Sequence, residues 1–145
     1  MTEAKEFKIS EITWEEGSLE LAAIRREVFV IEQNVPEDLE WDGMDPQCRH
    51  VVARALSGWP IGTGRLRPDG HIGRMAVLAH WRSKGVGGAM LESLIEMAQH
   101  AGHKSAPLNA QSYAMPFYAR YGFVAEGEEF MEASIPHQSM RLVWR

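Results

Sequence analysis

Apolar and polar residues alternate along residues 7–12, FKISEI, and this alternation is typical of a half-buried strand. From Ser18 the apolar positions recur at steps of three and four residues, which predicts an amphipathic helix. Pro36 helps to end that helix because proline cannot continue it. The apolar positions of the helix are Leu21, Ile24, Val28, Ile31 and Val35.

Three short apolar segments follow a polar loop over residues 37–50 and predict three strands. They are HVVARAL (50–56), IGTGRLR (61–67) and HIGRMAVL (71–78). Pro68, Asp69 and Gly70 supply turn residues between the last two segments, so these two should form an antiparallel hairpin.

A second helical pattern runs from Ser83 to about Gly102, where a glycine can cap the helix end. After it, PLNAQ (107–111) predicts a strand, and SYAMPFYARY (112–121) predicts a short helix with Pro116 near its first turn. The segments GFVAEGEEFM (122–131) and HQSMRLVW (137–144) predict a closing strand pair.

The order of these elements predicts one α/β domain of the α+β type over residues 7–145. The hairpins require antiparallel pairing, whereas the helix after MAVL must cross over, right-handed, to a parallel neighbour. We therefore expect a mixed, mostly antiparallel central sheet with helices on both faces.

Composition narrows the class of protein. A chain of 145 residues with 45% hydrophobic and 24% charged residues is typical of one globular domain. A net charge of -5 without a basic stripe argues against nucleic-acid binding. The lone Cys48, a first segment without a signal-peptide pattern and the lack of any apolar run of about 20 residues predict a cytoplasmic protein that binds no membrane.

Residues 82–88, RSKGVGG, combine cationic side chains with glycines where a strand gives way to a helix. A helix N-terminus binds phosphate when glycine lets the backbone approach, although a flexible turn with solvated basic residues would have the same composition. A Walker A loop is excluded because Ala89 and Met90 follow Gly88. A dinucleotide fingerprint is excluded because the third glycine position is Met90.

Arg82, Gly85 and Gly87 after RMAVL resemble the acyl-CoA pyrophosphate loop of the GNAT N-acetyltransferase superfamily. LNAQSYAMPFYARYGF (108–123) resembles its second signature, and the two motifs are linked at the expected separation. The segments REVFVIEQNVP, EWDGMD and FMEASIPHQSMR, together with His50, resemble a small bacterial branch, the ElaA- or YjcF-like proteins. Ser134 stands where that branch leads us to expect glycine, which affects the shape of one turn.

The resemblance implies a GNAT fold in which the strands GRMAVL and PLNAQ splay apart to form an acyl-CoA cleft. It implies an acetyl-CoA-dependent N-acetyltransferase that transfers the acetyl group directly to a primary amine in a ternary complex, with the Val77 N–H polarising the thioester carbonyl. A non-catalytic acyl-CoA sensor or interaction module with the same fold is the alternative. The implied donor-binding residues are Met75, Ala76, Val77, Arg82, Ser83, Lys84, Gly85, Val86, Gly87, Gly88, Asn109 and Phe117.

Tyr118 matches the position at which many superfamily members place the acid that protonates the CoA sulfur; otherwise it is a packing aromatic. His137, in the turn SIPH, is the base that we would test first, and it can alternatively be a turn residue that bonds backbone. The full set of candidate bases is Glu32, Glu40, Asp42, Asp45, His50, His71 and His137.

The acidic stretch EDLEWDGMD (37–45) can steer a cationic amine into the cleft or can be a solvated loop. The acceptor-binding candidates are Glu32, Glu40, Asp42, Asp45 and His50. We expect a small-molecule or peptide amine as acceptor and no metal, because His100 and His103 fit the negative end of a helix dipole. Exposed strand edges in this superfamily are compatible with a homodimer.

Overall fold

The structure is a computed structural model that describes residues 6–144, so the last residue of the predicted 7–145 domain lies outside it. Seven strands form one sheet in the order β1-β2-β3-β4-β5-β7-β6. They are β1 (Phe7–Ile12), β2 (Arg49–Ala55), β3 (Pro60–Leu66), β4 (Ile72–Val77), β5 (Ser105–Gln111), β6 (Val124–Glu132) and β7 (Ile135–Val143).

Antiparallel pairing joins β1 to β2, β2 to β3, β3 to β4, β5 to β7 and β6 to β7. The parallel pair β4 and β5 meets in the centre of the sheet through one register pair, Ile72 with Leu108. The predicted mixed, mostly antiparallel sheet and the predicted hairpin between β3 and β4 are therefore confirmed. The central parallel pair is also splayed, as expected, because its two strands part beyond that single pair.

The helices are α1 (Trp14–Arg25), α2 (Glu37–Glu40), α3 (Val86–His100) and α4 (Met115–Ala119), and a π-helical segment, Arg26–Glu32, continues α1. The prediction that the first helix begins at Ser18 was wrong by one turn. Thr13 caps the helix instead, because its hydroxyl accepts from the Glu16 N–H at 3.1 Å while the Glu16 carboxylate accepts from the Thr13 N–H. The sequence contains this capping box, but the apolar spacing does not reveal it.

Helices cover both faces of the sheet, as predicted. Met75 and Val77 on β4 pack with the core cluster that contains the apolar side of α3. Ala76 packs instead with Ile24 and Val28, which come from α1 and its π-helical continuation. Because consecutive side chains of a strand point to opposite faces, α1 and α3 lie on opposite sides of β4.

The turn between β6 and β7 contains two residues, Ala133 and Ser134, with φ of 52° and 62°. Two-residue hairpin turns of this kind favour glycine or asparagine because a side chain with a Cβ is strained at positive φ. Ser134 is the position where the family resemblance led us to expect glycine. The sequence departure therefore leaves a strained residue in the turn of this hairpin.

We expect the Ser134→Gly variant to raise the free energy of unfolding by about 0.5–1 kcal/mol. Relief of the left-handed conformation is worth roughly 1–2 kcal/mol, and the greater freedom of glycine in the unfolded chain offsets part of that gain. Urea denaturation measures the difference. Ser10→Gly, in the exposed extended strand β1, is the matched control and should lower stability; a loss at both positions would contradict the assignment of strain.

Candidate active site

A cavity of about 440 Å³ opens where β4 and β5 separate. Met75 on β4 and Asn109 on β5 line it, together with Tyr118 on α4 and His137 on β7. These four residues are far apart in the sequence, and all four were predicted site residues. The fold therefore brings the two predicted catalytic side chains and part of the predicted donor site into one concave surface.

A bulge shapes the β4 wall of this cavity. Thr63 pairs with Ala76 and Arg65 pairs with Gly73, so β4 carries one more residue than β3 between these two pairs. Arg74 lies in this bulge with φ of 50°. Bulges bend a strand and increase its twist, and here the bend occurs directly before the stretch of β4 that diverges from β5.

The glycine-rich loop leads into α3 with positive φ at Ser83 (62°) and Gly85 (87°). Gly85 is the N-cap residue, and no side chain in the described part of the chain caps the helix. The N–H groups of the first turn, at Val86, Gly87 and Gly88, consequently have no acceptor from within the helix. An uncapped helix N-terminus of this kind can accept an oxyanion such as a phosphate.

Aromatic residues of α4 and the turn after it pack against this helix N-terminus. A Cβ added to Gly87 would lie 3.5 Å from Cζ of Phe117 and 3.9 Å from Cγ2 of Val77, which is ordinary contact. A Cβ on Gly88 would overlap the hydroxyl group of Tyr121. Phe117, a predicted donor-binding residue, thus lies beside the loop, whereas sequence reasoning missed Tyr121, whose hydroxyl group would have to move if position 88 carried a Cβ.

Arg82 is engaged within the protein. Its Nε donates to the carbonyl oxygen of Val77 at 2.9 Å, and its Nη2 lies 2.9 Å from Oε1 of Glu32. Glu32 was predicted to bind the acceptor, but it pairs with Arg82 and is not among the residues that line the cavity. Lys84 lies over the ring of Trp81, 5.9 Å from its centroid.

Tyr118 places its hydroxyl group 3.8 Å from Sδ of Met75. Its ring makes edge contacts with Phe117 and Phe123, which fix its orientation. Burial raises the pKa of Tyr118 to about 12. The phenol consequently keeps its proton throughout the neutral range.

His137 is buried, and its ring stacks on Phe130. Its Nδ1 lies 2.7 Å from the carbonyl oxygen of Ile135, and because a carbonyl only accepts, this nitrogen carries the proton in the neutral ring. Nε2 then holds the lone pair, 3.5 Å from a carboxylate oxygen of Glu132. The arrangement leaves Nε2 able to accept a proton.

The acidic loop is neutralised by arginines. Arg25 donates to Glu40 and Asp45, each at 2.7 Å, while Arg65 bonds Asp45 at 3.1 Å and Asp42 at 2.9 Å. Burial opposes the ionisation of Asp45, but hydrogen bonds and charge from the two arginines outweigh it and lower the pKa of this carboxyl group. The loop therefore does not present unpaired carboxylates to an incoming amine at these positions.

The structure divides the predicted acceptor-binding residues. Glu40 and Asp42 line the cavity, whereas Asp45 and His50 do not. His50 is buried against Trp14 with its Nε2 2.9 Å from the carbonyl oxygen of Asp45, and burial lowers its pKa. Asp45 and His50 thus have structural partners and no place in the cavity wall.

Sequence reasoning missed three arginines in the cavity wall, Arg65, Arg67 and Arg74. Arg65 and Arg67 are two residues apart at the end of β3, and this spacing, which places both on one face of a strand, was the available signal. Arg74 gave no such signal, because only the bulge turns it toward Glu40 and Asp42.

Comparison with known proteins agrees with this geometry. Residues 9–144 match the family model described as acetyltransferase (GNAT) domain. The Bacillus subtilis protein YjcF, described as an uncharacterized N-acetyltransferase, is 41% identical over 121 residues, which cover 81% of this chain and 86% of YjcF. The Bacillus subtilis protein YyaT is 37% identical over 138 residues, covering 91% and 93% of the two chains.

Solved structures show the same fold. An acyl-CoA N-acyltransferase from Pseudomonas aeruginosa is 30% identical with a TM-score of 0.82, and the match covers 94% of this chain and 99% of that one. Escherichia coli ElaA is 25% identical with a TM-score of 0.83 over 94% and 99% of the two chains. In the described part of the chain, every helix is too short or too polar to span a bilayer. The chain is an acyltransferase that belongs to the GNAT acetyltransferase family.

Proposed function

We propose that the protein transfers an acetyl group from acetyl-CoA directly to a primary amine within a ternary complex. The observation that carries this proposal is the uncapped N-terminus of α3 beside a splayed strand pair whose cavity contains the Tyr118 hydroxyl group. The first feature suits a pyrophosphate, the second suits an extended thioester arm, and the third suits a departing sulfur.

In this proposal the donor lies along Met75, Ala76 and Val77 and reaches the loop between Arg82 and Gly88. Arg82 would leave the carbonyl oxygen of Val77 and the carboxylate of Glu32 to meet the pyrophosphate. Both residues of the ion pair are partly exposed, with side-chain exposures of 44% and 34%, so exchanging one oxyanion for another costs little. Ser83, Lys84, Val86, Gly88, Asn109 and Phe117 complete the donor-binding set.

Two side chains would manage the protons of the reaction. An amine with a pKa near 10.4 is almost wholly protonated at pH 7, and freeing it costs about 4.6 kcal/mol. His137 Nε2 takes that proton. The neutral amine nitrogen then bonds to the carbonyl carbon of the thioester, the carbon–sulfur bond breaks, and the sulfur receives the proton of the Tyr118 hydroxyl group. The nitrogen loses its second proton, which returns to the Tyr118 phenolate, so that a neutral amide and a free thiol remain.

Thermal unfolding with acetyl-CoA tests the donor assignment. At about 100 times Kd a ligand adds about 2.7 kcal/mol of stability, so we expect the unfolding midpoint to rise by several degrees. ATP and NAD are the controls and should cause no comparable shift. A folded protein that acetyl-CoA does not stabilise would contradict the proposal.

Gly87→Ala is the matched variant for the loop. The added methyl group makes only ordinary contacts with Phe117 and Val77, so the midpoint without ligand should stay the same or rise. In our proposal the donor passes between Val77 and the N-terminus of α3, where this methyl group would lie, so the shift caused by acetyl-CoA should shrink. An undiminished shift would place the pyrophosphate elsewhere.

A further inference from the structure

One wall of the cavity contains buried nitrogen atoms without hydrogen-bond partners. Across residues 6–144, the buried side-chain polar atoms that lack such a partner are Nε of Arg65, Nε of Arg67, Nδ1 of His71 and Nε of Arg74. All four residues belong to β3, β4 or the turn between them, and all four line the cavity. Their concentration in one wall indicates a site for a group that accepts hydrogen bonds.

The protein supplies carboxylates to only part of this wall. Nε of Arg74 still has a Glu40 oxygen 3.3 Å away, and Nδ1 of His71 has an Asp69 oxygen at 3.1 Å. Nε of Arg65 and Nε of Arg67 have neither a hydrogen bond nor a recorded ion pair within the described chain. A buried N–H without a partner is unfavourable, so a ligand oxygen at these two atoms would be stabilising.

The charges of the wall favour an anion there. Glu40, Asp42 and Asp45 are matched by Arg25, Arg65 and Arg74, so the charges of this network are balanced. Arg67 lies outside the network and pairs with Asp69, whose side chain is 48% exposed. The cation of Arg67 is therefore only weakly neutralised, while its Nε is buried in the cavity wall.

We infer that the acceptor is a small amine that also carries an oxyanion, a carboxylate or a phosphate, and that Arg67 binds this oxyanion with Arg65 Nε and His71 beside it. The inference rests on the proposed function and specifies its acceptor. A cavity of about 440 Å³ has the size of a small-molecule site. Met75 contacts the Tyr118 hydroxyl group and therefore marks the reacting end of the cavity. His71 lies four residues before Met75, which is roughly 13 Å along an extended strand and less where the bulge shortens it. The amine and the oxyanion are therefore separated by several bonds.

Matched acceptor pairs test this inference by the rate of thiol release from acetyl-CoA. The pairs are 6-aminohexanoate with hexylamine, glucosamine 6-phosphate with glucosamine, and alanine with ethylamine. We expect the oxyanion-bearing member of at least one of the first two pairs to have a kcat/KM about 10- to 100-fold higher than its partner without the oxyanion, as one charge-assisted hydrogen bond provides. The first two pairs distinguish a carboxylate from a phosphate.

Arg67→Gln should bring the ratio of kcat/KM between the two members of that pair toward one, chiefly by raising KM for the acceptor that carries the oxyanion. Arg49→Gln is the control, because Arg49 pairs with the exposed Glu11 and does not line the cavity. The shift in unfolding midpoint caused by acetyl-CoA should persist in both variants. If acetyl-CoA does not raise the unfolding midpoint of the wild-type protein, the proposed function itself is refuted.

The inference is overturned if acetyl-CoA binds and the amines without an oxyanion are acetylated as well as their partners that carry one. It is also overturned if none of the anionic amines is acetylated, or if Arg67→Gln and Arg49→Gln change the preference equally. If only alanine is preferred over its partner, the acceptor carries an oxyanion, but the inferred separation of several bonds between the amine and the oxyanion is wrong.

Discussion

Replacing Tyr118 by phenylalanine should lower kcat by a factor of about 10² to 10⁴, the contribution of a positioned general acid. The ring would keep its edge contacts with Phe117 and Phe123, so the fold and acetyl-CoA binding should be preserved. The variant removes only the proton that, in our proposal, passes to the departing sulfur. Thiol release at saturating donor and acceptor measures the effect.

Tyr113→Phe is the comparison, because Tyr113 is 76% exposed and lines the same cavity, and the variant loses the same kind of hydroxyl group without touching the contact between Tyr118 and Met75. The pH dependence of the rate separates the two proposed roles. His137→Gln should alter the acidic limb of the pH–rate profile, since that limb would report the base. Tyr118→Phe should lower the rate at every pH and leave the position of the acidic limb unchanged. An unchanged kcat in Tyr118→Phe would mean that the sulfur leaves as the thiolate without an acid.

The second large effect concerns stability. Arg25 is 1% exposed and bonds both Glu40 and Asp45, so replacing it by leucine leaves buried carboxylates without their cation. Breaking a buried ion pair in this way costs about 3–5 kcal/mol. We expect urea denaturation of Arg25→Leu at pH 7 to show a loss of this size.

Arg54→Leu provides the comparison, because Arg54 and Glu20 form an ion pair with side-chain exposures of 31% and 38%. Such a pair contributes about 0–1 kcal/mol. An equal loss in the two variants would show that burial of the Arg25 network carries no special weight.

The pH dependence gives an independent check on the same network. Asp45 has a lowered pKa in the folded protein, and its stabilising contribution is therefore present above the unfolded value of about 3.9 and is lost as the pH falls. Arg25→Leu removes part of the cause of that shift. The stabilities of the variant and the wild-type protein should therefore converge as the pH falls below about 4.

Elements whose signal lies in local periodicity could be predicted from the sequence. The hairpin at Pro68–Gly70 and the α3 pattern are of this kind, and the Arg82–Gly88 loop was identified because its glycines follow directly after a strand. The capping box at Thr13 was readable but was masked by apolar spacing that becomes regular only at Leu21. Local rules therefore accounted for most of the fold.

The remainder depends on contacts between distant segments. The acidic residues near Trp41 have the composition of a solvated loop, and only the tertiary structure shows that Arg25 and Arg65 bury their charges. Pairing of Glu32 with Arg82 spans fifty positions and leaves no trace in spacing. Arg74 enters the site because of a bulge, which no single-strand pattern encodes.

The single pair between Ile72 and Leu108 is the pairing that joins the two halves of the sheet. Four strands on one side and three on the other are joined by antiparallel pairing, interrupted by bulges, and this single pair is where the two halves of the sheet meet. A small rotation of the half formed by β1 to β4 against the half formed by β5 to β7 would open or narrow the cavity without breaking the antiparallel pairing within either half. Such a rotation would let the cavity fit reactants of different bulk while the pairing within each half is kept.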